Sequence, residues 1–354
     1  MSREIGIDLG TSNVVIHLKG HGIIVNEPAV LAVDTRTKEV IAFGRDAYQM
    51  IGRTSPAIQV IRPLKNGVIV DFELTEALLT LFLEKVNASS WFANPKVLVC
   101  CPVNVTDIER VSLLEVAQRA TKGQVFLEEE AKVAAMGAGV DYFDTSGNMV
   151  IDIGGGTTNI GVIANGELVV SEALTVAGDQ LDAAIVEYFR EKHQLLIGER
   201  SAETAKKQLA SALHLPLEEC VIDVIKGRDL LTGLPKSMNT HSNHLHEAIA
   251  PHLERIARVA KRVLEDLPPE LAADIAEKGI ILTGGGAMIY QLDSYLTDYL
   301  KVSVIRAEQP MNCVAIGSGL LLDLIIAGKI TRVHLTFKQK VKQFFRRLKQ
   351  RFIG

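Results

Sequence analysis

Two short segments of the sequence combine a carboxylate, glycines and hydroxyl groups in a pattern typical of phosphate binding. Asp8 precedes the Gly-Thr-Ser-Asn turn at residues 10–13, and Asp152 precedes the Gly-Gly-Gly-Thr-Thr turn at residues 154–158. Glycine turns let backbone N–H groups approach an anion, and the hydroxyl groups add donors. Each aspartate lies where a strand ends, so its carboxylate can hold the water shell of Mg²⁺. A single turn of this kind is better explained as a tight hairpin capped by its aspartate, whereas the matched pair favours a phosphate chain held from two sides.

The two segments also repeat a longer pattern. Residues 5–16 and 150–163 each contain a β-branched strand ending in aspartate, a turn closed by asparagine, and a second strand. Matching the aspartates aligns Asn13 with Asn159 after a two-glycine insertion. A strand–turn–strand unit repeated after about 145 residues predicts two homologous halves, each beginning with a β-hairpin.

A third glycine cluster lies at residues 284–286, after the strand-like segment 281–283. A strand that ends in glycines before a helix lets the backbone pack flat against a nucleoside. Such turns are common, so this one is a weak signal by itself. The chain contains no Gly-x-x-x-x-Gly-Lys-Ser/Thr sequence, which excludes the P-loop class of NTPases.

The elements that must position these turns follow from the apolar pattern. Helical spacing is present at 74–87, 106–120, 179–192 and 245–266. Short strands are predicted between these helices, at 97–101, 124–127, 279–283 and 302–305. Strands that alternate with helices indicate α/β layers, here in two halves. No low-complexity linker separates the halves, so we predict a hinge near residues 141–147.

The charge of the chain is distributed unevenly. The 354 residues carry a formal net charge of −4, but residues 337–354 contain seven Lys and Arg residues and no acidic residue. The rest of the chain therefore carries −11. Such an acidic body argues against nucleic-acid binding, and the basic tail needs its own explanation.

Other composition signals predict a cytosolic protein. The N-terminus lacks the regions of a signal peptide, and the longest apolar stretch, residues 314–328, is too short for a spanning helix. The cysteines show no metal-binding spacing, so we expect inert thiols in a reducing compartment. A small histidine cluster has a metal-like composition, but loop histidines are usually solvated, and we assign no site to His241, His244 and His246.

The order of the motifs resembles that of the actin, Hsp70 and sugar-kinase superfamily. Within it, the chain is similar to the MreB family over nearly its whole length, in the blocks IGIDLGTSN, NEPAVLAVD, RPLKNGVIVDF, DIGGGTTNIGVI, AGDQLDAAIVEYFREKHQLLIGERSAETAK, KGRDLLTGLPK and LTGGGAMI. The fifth and sixth blocks are specific to relatives of MreB. The resemblance implies an α/β, actin-like fold of two homologous RNase H-like halves, with a nucleotide cleft between them and small inserted subdomains.

The same resemblance implies domain bounds. Domain I is expected at 1–142 plus 317–336, with a small subdomain inserted at about 30–76, and domain II at 143–316, with another inserted at about 179–252. Residues 337–354 are expected to form a separate basic amphipathic helix.

The resemblance also implies which residues bind ATP and Mg²⁺. The nucleotide-binding residues would be Asp8, Gly10, Thr11, Ser12 and Asn13 in the first loop, Asp152, Gly154, Gly155, Gly156, Thr157 and Thr158 in the second, and Gly178, Asp179, Glu203, Lys206, Gly284, Gly285, Gly286 and Ala287 beyond them. Mg²⁺ would be held through water by Asp8 and Asp152. Glu203 and Lys206 share a helical face and would reach the ribose and base; without the resemblance they read as a surface ion pair.

Two residues are candidates to position the attacking water. Glu130, in the block FLEEEAKVAAMGAG, lies where the family positions this water, and Thr158 is the second candidate. Hydrolysis in such sites depends mostly on positioning and charge stabilisation, so one carboxylate and a metal suffice. The chain departs from the family here, with Ala131 in place of proline, Glu128 in place of an apolar residue, and Asn159 where an acidic residue is common. The run of like charges is expected to raise a carboxylate pKa and to change how the water is activated.

Two segments predict contact with a membrane. The only tryptophan, Trp91, lies next to Phe92 in a polar loop, and the corresponding loop of MreB proteins inserts into membranes. Alternatively, both rings fold back onto the body. In the tail, one helical face carries Phe337, Val341, Phe344, Phe345, Leu348 and Phe352, and the other face carries the seven cations.

A basic amphipathic helix is typical of a segment that binds an anionic membrane surface. Each Lys or Arg contributes about 1 kcal/mol near such a surface. Docking on a partner or a neighbouring subunit, or binding nucleic acid, are the alternatives for this tail. Such a tail is unusual for MreB proteins and is similar to the membrane tail of FtsA, another bacterial actin relative.

These observations together favour an ATP-dependent, polymerising bacterial actin homologue with slow ATP hydrolysis. It would form membrane-associated filaments for cell shape and cell-wall organisation, in the cytoplasm at the inner face of the cell membrane. Its expected partners are other copies of itself, an anionic membrane surface and membrane proteins of cell-wall elongation, with no nucleic acid. A small-molecule kinase of the same superfamily is one alternative, although Glu130 is the only candidate base for an acceptor. A non-hydrolysing, membrane-bound adaptor similar to FtsA is the other.

Overall fold

The computed structural model describes residues 4–86 and 95–330, and the chain divides into two compact units. Unit 1 holds the described residues up to 139 and from 312 onward, and unit 2 holds residues 140–311. The predicted membrane loop at Trp91 and Phe92 and the predicted helix at 337–354 lie outside the described residues. Within the described ranges, no helix combines the length and the apolar character needed to cross a bilayer.

Unit 1 is built on a mixed five-stranded sheet. Its elements up to residue 139 are β1 (Glu4–Leu9), β2 (Asn13–Leu18), β3 (Gly22–Pro28), β4 (Leu31–Asp34), β5 (Val40–Phe43), α1 (Gly44–Met50), β6 (Ile58–Ile61), β7 (Leu64–Lys65), β8 (Val68–Ile69), α2 (Phe72–Lys85), β9 (Lys96–Cys101), α3 (Asp107–Thr121), β10 (Gln124–Glu129) and α4 (Glu130–Gly137). The sheet has the order β3-β2-β1-β9-β10, in which β1 to β3 form an antiparallel meander and β9 and β10 run parallel to β1. A small sheet, β5-β4-β6, lies inside the range where an insertion was predicted.

The central strands of unit 1 are buried on both faces. Val97, Leu98 and Val99 in β9 are each 0% exposed, which explains why this strand is a continuous apolar run rather than an alternating one. Helix α3 begins at a capping box, in which Thr106 and Glu109 satisfy each other's backbone N–H groups. The sheet and its flanking helices therefore form one core that fixes the carboxyl ends of β1, β9 and β10.

Unit 2 repeats the topology of the first sheet. Its elements are β11 (Asn148–Ile153), β12 (Thr158–Ala164), β13 (Glu167–Leu174), α5 (Gly178–His193), β14 (Leu195–Leu196), α6 (Glu199–Leu209), β15 (Ile222–Asp229), β16 (Pro235–His241), α7 (Ser242–Glu265), α8 (Pro269–Lys278), β17 (Ile280–Thr283), α9 (Leu292–Leu300) and β18 (Val304–Arg306). The order β13-β12-β11-β17-β18 again joins an antiparallel meander to two parallel strands. A second small sheet, β14-β15-β16, lies inside the other predicted insertion.

The last described helix, α10 (Cys313–Ile326), belongs to unit 1. It packs closely on α4, because a Cβ atom at Gly137 would overlap the backbone of Cys313 and one at Gly317 would overlap Val133. The two units divide between residues 311 and 312, whereas the predicted boundary between residues 316 and 317 falls inside this helix. The predicted end of an insertion at about 252 likewise falls inside α7.

Candidate nucleotide site

The two predicted hairpins have turns of the same length. In unit 1 the last ladder pair is Leu9 with Val14, and in unit 2 it is Ile153 with Thr158. Four residues therefore form each turn, 10–13 in the first and 154–157 in the second. The homology of the two hairpins is closer than the sequence indicated.

The alignment of Asn13 with Asn159 is wrong. Asp152 pairs directly with Asn159 across the second hairpin, and Asp8 pairs in the same way with Val15. Asn159 is therefore equivalent to Val15, and no two-glycine insertion exists. The two asparagines are alike in residue type, but backbone pairing determines which positions of the two hairpins are equivalent.

The first turn is anchored to neighbouring chain segments of unit 1. The Thr11 hydroxyl accepts a hydrogen bond from the Gly67 backbone N–H at 2.9 Å, and the Asn13 side chain donates to Asn26 at 2.8 Å. The Ser12 carbonyl accepts from the Ala29 N–H at 2.8 Å. These bonds hold the turn rigid, and a rigid turn can present its backbone N–H groups to an anion at a low entropic cost.

The second turn is closed by its own backbone and by the start of α5. Gly154 N–H donates to the Thr157 carbonyl at 2.9 Å. The carbonyls of Gly154 and Gly155 accept from the N–H groups of Gly178 and Asp179, at 3.1 and 2.8 Å. Ala177, the N-cap residue of α5, provides no side-chain hydrogen bond, so the turn itself caps this helix. The positive end of the α5 dipole therefore lies at the glycine turn, an arrangement that favours a bound phosphate.

Lys206 lies beside the same turn and is held by two acceptors. Its ammonium donates to the Gly178 carbonyl and to Oδ2 of Asp182, both at 2.8 Å. An ammonium has three N–H groups, so a third remains for a ligand. Burial raises the pKa of Asp182 to about 6, and the Lys206 charge opposes this shift. Oδ1 of Asp182 is buried without a hydrogen-bond partner in the described part of the chain, so it is an acceptor that a ligand hydroxyl or a water can satisfy.

The predicted partner of Lys206 on its own helix makes a different ion pair. Glu203 contacts Lys207 at 2.6 Å, four residues along α6, and Lys206 pairs with Asp182 instead. The alternative of a simple surface ion pair between Glu203 and Lys206 is therefore wrong. Glu203 lies in the second turn of α6 and Lys206 in its last turn.

Asp152 lies at the carboxyl end of β11 and is almost completely buried, with 4% of its surface exposed. Burial raises the pKa of Asp152 to about 6, and a hydrogen bond from the Thr283 hydroxyl to Oδ1, at 2.8 Å, opposes the shift. A carboxylate is strongly disfavoured in a buried position without a positive partner. This position therefore favours a bound cation.

The third glycine turn lies against the second hairpin, because β17 runs parallel to β11 with Thr283 paired to Asp152. Gly284 has a φ of +81°, and its N–H donates to the Pro310 carbonyl at 2.9 Å. A Cβ atom at Gly286 would lie 2.7 Å from Cβ of Ile153, whereas one at Gly285 would meet no atom within 4 Å. The first and third glycines of this turn pack against the hairpin, and the middle one faces open space, where a planar base can lie.

Unit 1 gathers its own carboxylates at one edge of its sheet. Asp8 lies near the end of β1, and Glu130 begins α4 directly after β10. Their charges, together with burial as the largest cause, raise the pKa of the Cys100 thiol between them. Cys100 is therefore an uncharged, buried thiol, and the four cysteines are all free.

The three consecutive glutamates at this edge have different partners. The Glu128 carboxylate contacts Lys132 at 2.9 Å, and Glu129 contacts Arg110 at 3.2 Å. These cations offset the run of like charges around Glu130, which the sequence alone did not indicate.

Thr158, the second candidate for positioning water, already donates its hydroxyl proton to another group of unit 2. Its side chain is 0% exposed, and its hydroxyl donates to the Val176 carbonyl at 2.6 Å. Because a hydroxyl has one proton, this group holds β12 against the segment before α5 and can only accept a bond from water. The geometry favours Glu130 over Thr158 for this role.

The residues present fit a hydrated Mg²⁺ bound to phosphate. The described residues contain no group of three or more His, Cys, Asp or Glu side chains that would hold a metal directly. Mg²⁺ usually keeps several waters and uses one or two carboxylates together with phosphate oxygens. The buried carboxylate of Asp152, beside a glycine turn at a helix N-terminus, meets that requirement. The half-buried Asp8 holds the equivalent position in unit 1.

The expectation of solvated loop histidines is wrong for this chain. His244 lies in the first turn of α7, and its ring stacks on that of His241 at 3.8 Å between centroids. The ring centroid of His193, the last residue of α5, lies 5.2 Å from that of His244. The described residues show no metal-binding geometry at this cluster. These rings instead pack the small sheet of unit 2 against α5 and α7.

Two residues of the candidate site were not predicted from the sequence. Thr283 holds Asp152, and Asp182 holds Lys206. Thr283 could have been found because it directly precedes the glycine turn on a strand parallel to β11. Asp182 gave no comparable signal, since a polar residue in the second turn of a helix is usually solvent-exposed.

Comparison with known proteins shows which family the chain resembles. The family described as MreB/Mbl protein matches residues 2–329. The chain is 49% identical to the cell shape-determining protein Mbl of Bacillus cereus, over 92% of this chain and 97% of that protein. It is 43% identical to the cell shape-determining protein MreB of Escherichia coli, over 92% and 94% of the two chains.

A solved structure is also similar. MreB5 of Spiroplasma citri, bound to ADP, superposes with a TM-score of 0.88 at 36% identity, over 93% of this chain and 98% of that chain. The same protein bound to AMPPNP gives the same values. The predicted actin-like α/β fold is confirmed by these matches.

Proposed function

The chain belongs to the MreB/Mbl family, and from that premise we propose that it is an ATP-driven filament protein at the cell membrane. It binds ATP with Mg²⁺, hydrolyses the ATP slowly, and assembles into filaments of identical subunits that organise cell shape. Its further partners are membrane proteins of cell-wall elongation. The acidic body makes nucleic acid an unsuitable partner.

One observation carries the nucleotide assignment. In unit 2, a buried carboxylate at Asp152, the glycine turn at 154–157, the N-terminus of α5 and the turn at 284–286 meet at one edge of the sheet. An anion cradle beside a flat glycine surface suits a nucleoside phosphate better than any uncharged ligand. Binding of ADP and AMPPNP by MreB5 of Spiroplasma citri supports the same assignment.

Asp152 and Asp8 would hold Mg²⁺ through its water shell, as the sequence predicted. When bound, this ion supplies positive charge that offsets the phosphate oxygens during cleavage. The protein's own part is to keep Asp152 ionised and fixed, and the Thr283 hydroxyl does so by donating to Oδ1. Lys206, held between Gly178 and Asp182, adds a further donor beside the phosphate turn.

Glu130 would orient the attacking water, and hydrolysis would be slow. Its carboxylate lies at the N-terminus of α4, and α4 is fixed by close packing on α10 through Gly137 and Gly317. A carboxylate held by a rigid helix can place a water with little loss of entropy. Reaction with water, rather than with a small-molecule acceptor, separates this proposal from a kinase of the same superfamily.

Membrane attachment would come from the tail and the loop with Trp91 and Phe92. Both lie outside the described residues, and their assignment rests on the sequence pattern of apolar and basic residues. Attachment at two points of each subunit, multiplied along a filament, makes weak individual contacts effective.

The test measures ATP affinity by titration calorimetry and phosphate release in the same samples. Asp152→Ala should weaken Mg-ATP binding at least about tenfold, because it removes the carboxylate at the centre of the site. Glu130→Ala should leave ATP affinity nearly unchanged and slow phosphate release, because positioning of water acts in the transition state. Asp298→Ala, at an exposed position on α9, is the matched control and should behave as the parent.

Three results would contradict the proposal in different ways. Unchanged ATP affinity in Asp152→Ala would show that the site is elsewhere. ATP binding without any hydrolysis in the parent, even when assembled, would favour the non-hydrolysing adaptor instead. Phosphate transfer that requires an added small-molecule acceptor would favour the kinase.

A further inference from the structure

A buried ion pair lies at the junction of β10 and α4. The Lys132 ammonium contacts Oε2 of Glu128 at 2.9 Å, and only 3% and 5% of the two side chains are exposed. Glu128 is the second-last residue of β10 and pairs with Cys100 of β9. Lys132 is the third residue of α4. The pair therefore joins the end of a strand to the first turn of a helix.

Glu130 is midway between these two residues in the sequence and is the first residue of α4. The direction of its carboxylate depends on how α4 leaves β10. The N-cap residue, Glu129, makes no side-chain cap and instead contacts Arg110 of α3 at 3.2 Å. The side-chain cap that is usual at a helix N-terminus is thus absent, and the ion pairs of Glu128 and Glu129 lie at the junction instead.

Stability alone does not explain a buried pair at this position. Two charges lose their hydration on burial, and an apolar pair of similar volume usually holds a helix equally well or better. An ion pair, however, fixes one distance and one direction between its atoms, which apolar contacts do not. Only a group that needs a defined direction gains from this property, and Glu130 is that group.

We propose that Glu128 and Lys132 are positioning residues for Glu130, and that their ion pair fixes the strand–helix junction from which Glu130 holds the attacking water. The inference rests on the proposed ATP hydrolysis and deepens it. Neither residue touches the nucleotide in this account. Their effect is therefore confined to the rate at which bound ATP is cleaved.

The experiment measures phosphate release per bound ATP in the full chain, under conditions in which the parent assembles, together with ATP affinity. Lys132→Met keeps the length of the side chain and removes the pair. Glu128→Gln keeps the shape and removes one charge, and it serves if Lys132→Met does not fold. The doubly substituted protein with Glu128→Lys and Lys132→Glu re-forms the pair with its charges exchanged.

Each single variant should cleave bound ATP about tenfold or more slowly than the parent, because a small misplacement of a positioning group has effects of this size. ATP affinity should change less than about twofold, since the nucleotide contacts are intact. The exchanged pair should recover most of the rate. Arg258→Met, which removes an exposed pair with Glu254 four residues away on α7, is the matched control and should keep the parent rate.

A parent-like rate per bound ATP in either folded single variant would overturn the proposal, because the pair would then serve the fold alone. An equal loss of ATP affinity would also overturn it, since the pair would then support the whole site. A parent that binds ATP but never cleaves it would contradict the proposed hydrolysis itself. It would also contradict the positioning role of Glu128 and Lys132, because that role depends on hydrolysis.

Discussion

Among single residues, Asp152 is the central carboxylate of the proposed nucleotide site. Its carboxylate is buried at the end of β11, and burial raises its pKa from an ordinary 3.8 to about 6. The folded chain thus binds a proton more tightly than the unfolded chain does. The resulting stabilisation is present below pH 3.8 and is lost as the pH rises through about 6.

Asp152→Asn should therefore stabilise the nucleotide-free protein at pH 7.5 while it impairs the site. The difference between the two pKa values corresponds to about 3 kcal/mol at most. Urea unfolding without nucleotide should show a gain in the free energy of unfolding at pH 7.5 and a clearly smaller gain at pH 4.5. Addition of Mg-ATP should raise the stability of the parent and not that of the variant. A loss of stability at pH 7.5 without nucleotide would contradict the account.

Residue types in the sequence identified the carboxylates of the site but not their partners. Asp8 and Asp152 were identified because each lies where a strand ends before a glycine turn, and Glu130 was identified through the resemblance of its block to the family. The pairing of Glu128 with Lys132 could not be read, because it spans a strand and a helix, where the spacing rule for helix pairs gives no guidance. The sequence showed three adjacent glutamates but not the cations Lys132 and Arg110, which contact Glu128 and Glu129.

Among the elements, the turn at 284–286 contains one glycine that the packing of the fold requires and another that only the ligand would require. A Cβ atom at Gly286 would overlap Ile153, whereas one at Gly285 would meet open space. Gly286→Ala should destabilise the protein by about 1–3 kcal/mol through overpacking. Gly285→Ala should leave stability unchanged or slightly higher and still weaken ATP binding, because its methyl group lies where the base must pack. Thermal unfolding and titration calorimetry on both variants separate these effects; equal stability of the two variants would contradict the packing described.

The histidine cluster predicts a second pH dependence, with the opposite sign. Burial is the main cause that lowers the pKa of His193 and His244, with His241 and Lys236 adding to the effect and Glu247 opposing it. As the pH falls, the unfolded chain binds protons at these histidines before the folded chain does. The contribution of the histidines to stability is therefore present above pH 6.5 and is lost as the pH falls below that value. His244→Phe should reduce the fall in unfolding free energy between pH 7.5 and 5.5. The exposed His21→Phe is the control, and an equal pH dependence in His244→Phe and the parent would contradict this role.

Elements with strong apolar periodicity were predictable, and short ones were not. The helix predicted at 179–192 is α5 at Gly178–His193, and the strand predicted at 97–101 is β9 at Lys96–Cys101. The two small sheets were not predicted strand by strand, because strands such as β14, with two residues, have no period to detect. The register of the hairpins was likewise set by backbone pairing that sequence similarity did not reveal.

For the whole molecule, the basic tail is predicted to attach filaments to a membrane. Deletion of residues 337–354 removes seven cations and should strongly reduce sedimentation with anionic liposomes. Replacement of Trp91 and Phe92 by alanine should remove much of the remaining binding, and rising salt should weaken binding by the intact chain. Binding of the truncated chain equal to that of the intact chain would identify the tail as a docking helix for a partner. Failure of the truncated chain to polymerise would place the tail in the contact between subunits.

Nucleotide-dependent assembly is the most direct test of the account. Sedimentation followed by electron microscopy should be performed on the intact chain with Mg-ATP, without nucleotide, and with Asp152→Ala in Mg-ATP. The account predicts filaments from the intact protein in Mg-ATP, and few or none in the other two samples, because binding of ATP favours the assembling state only when the site is complete. Filaments formed equally in all three samples, or in none, would contradict an ATP-driven filament protein.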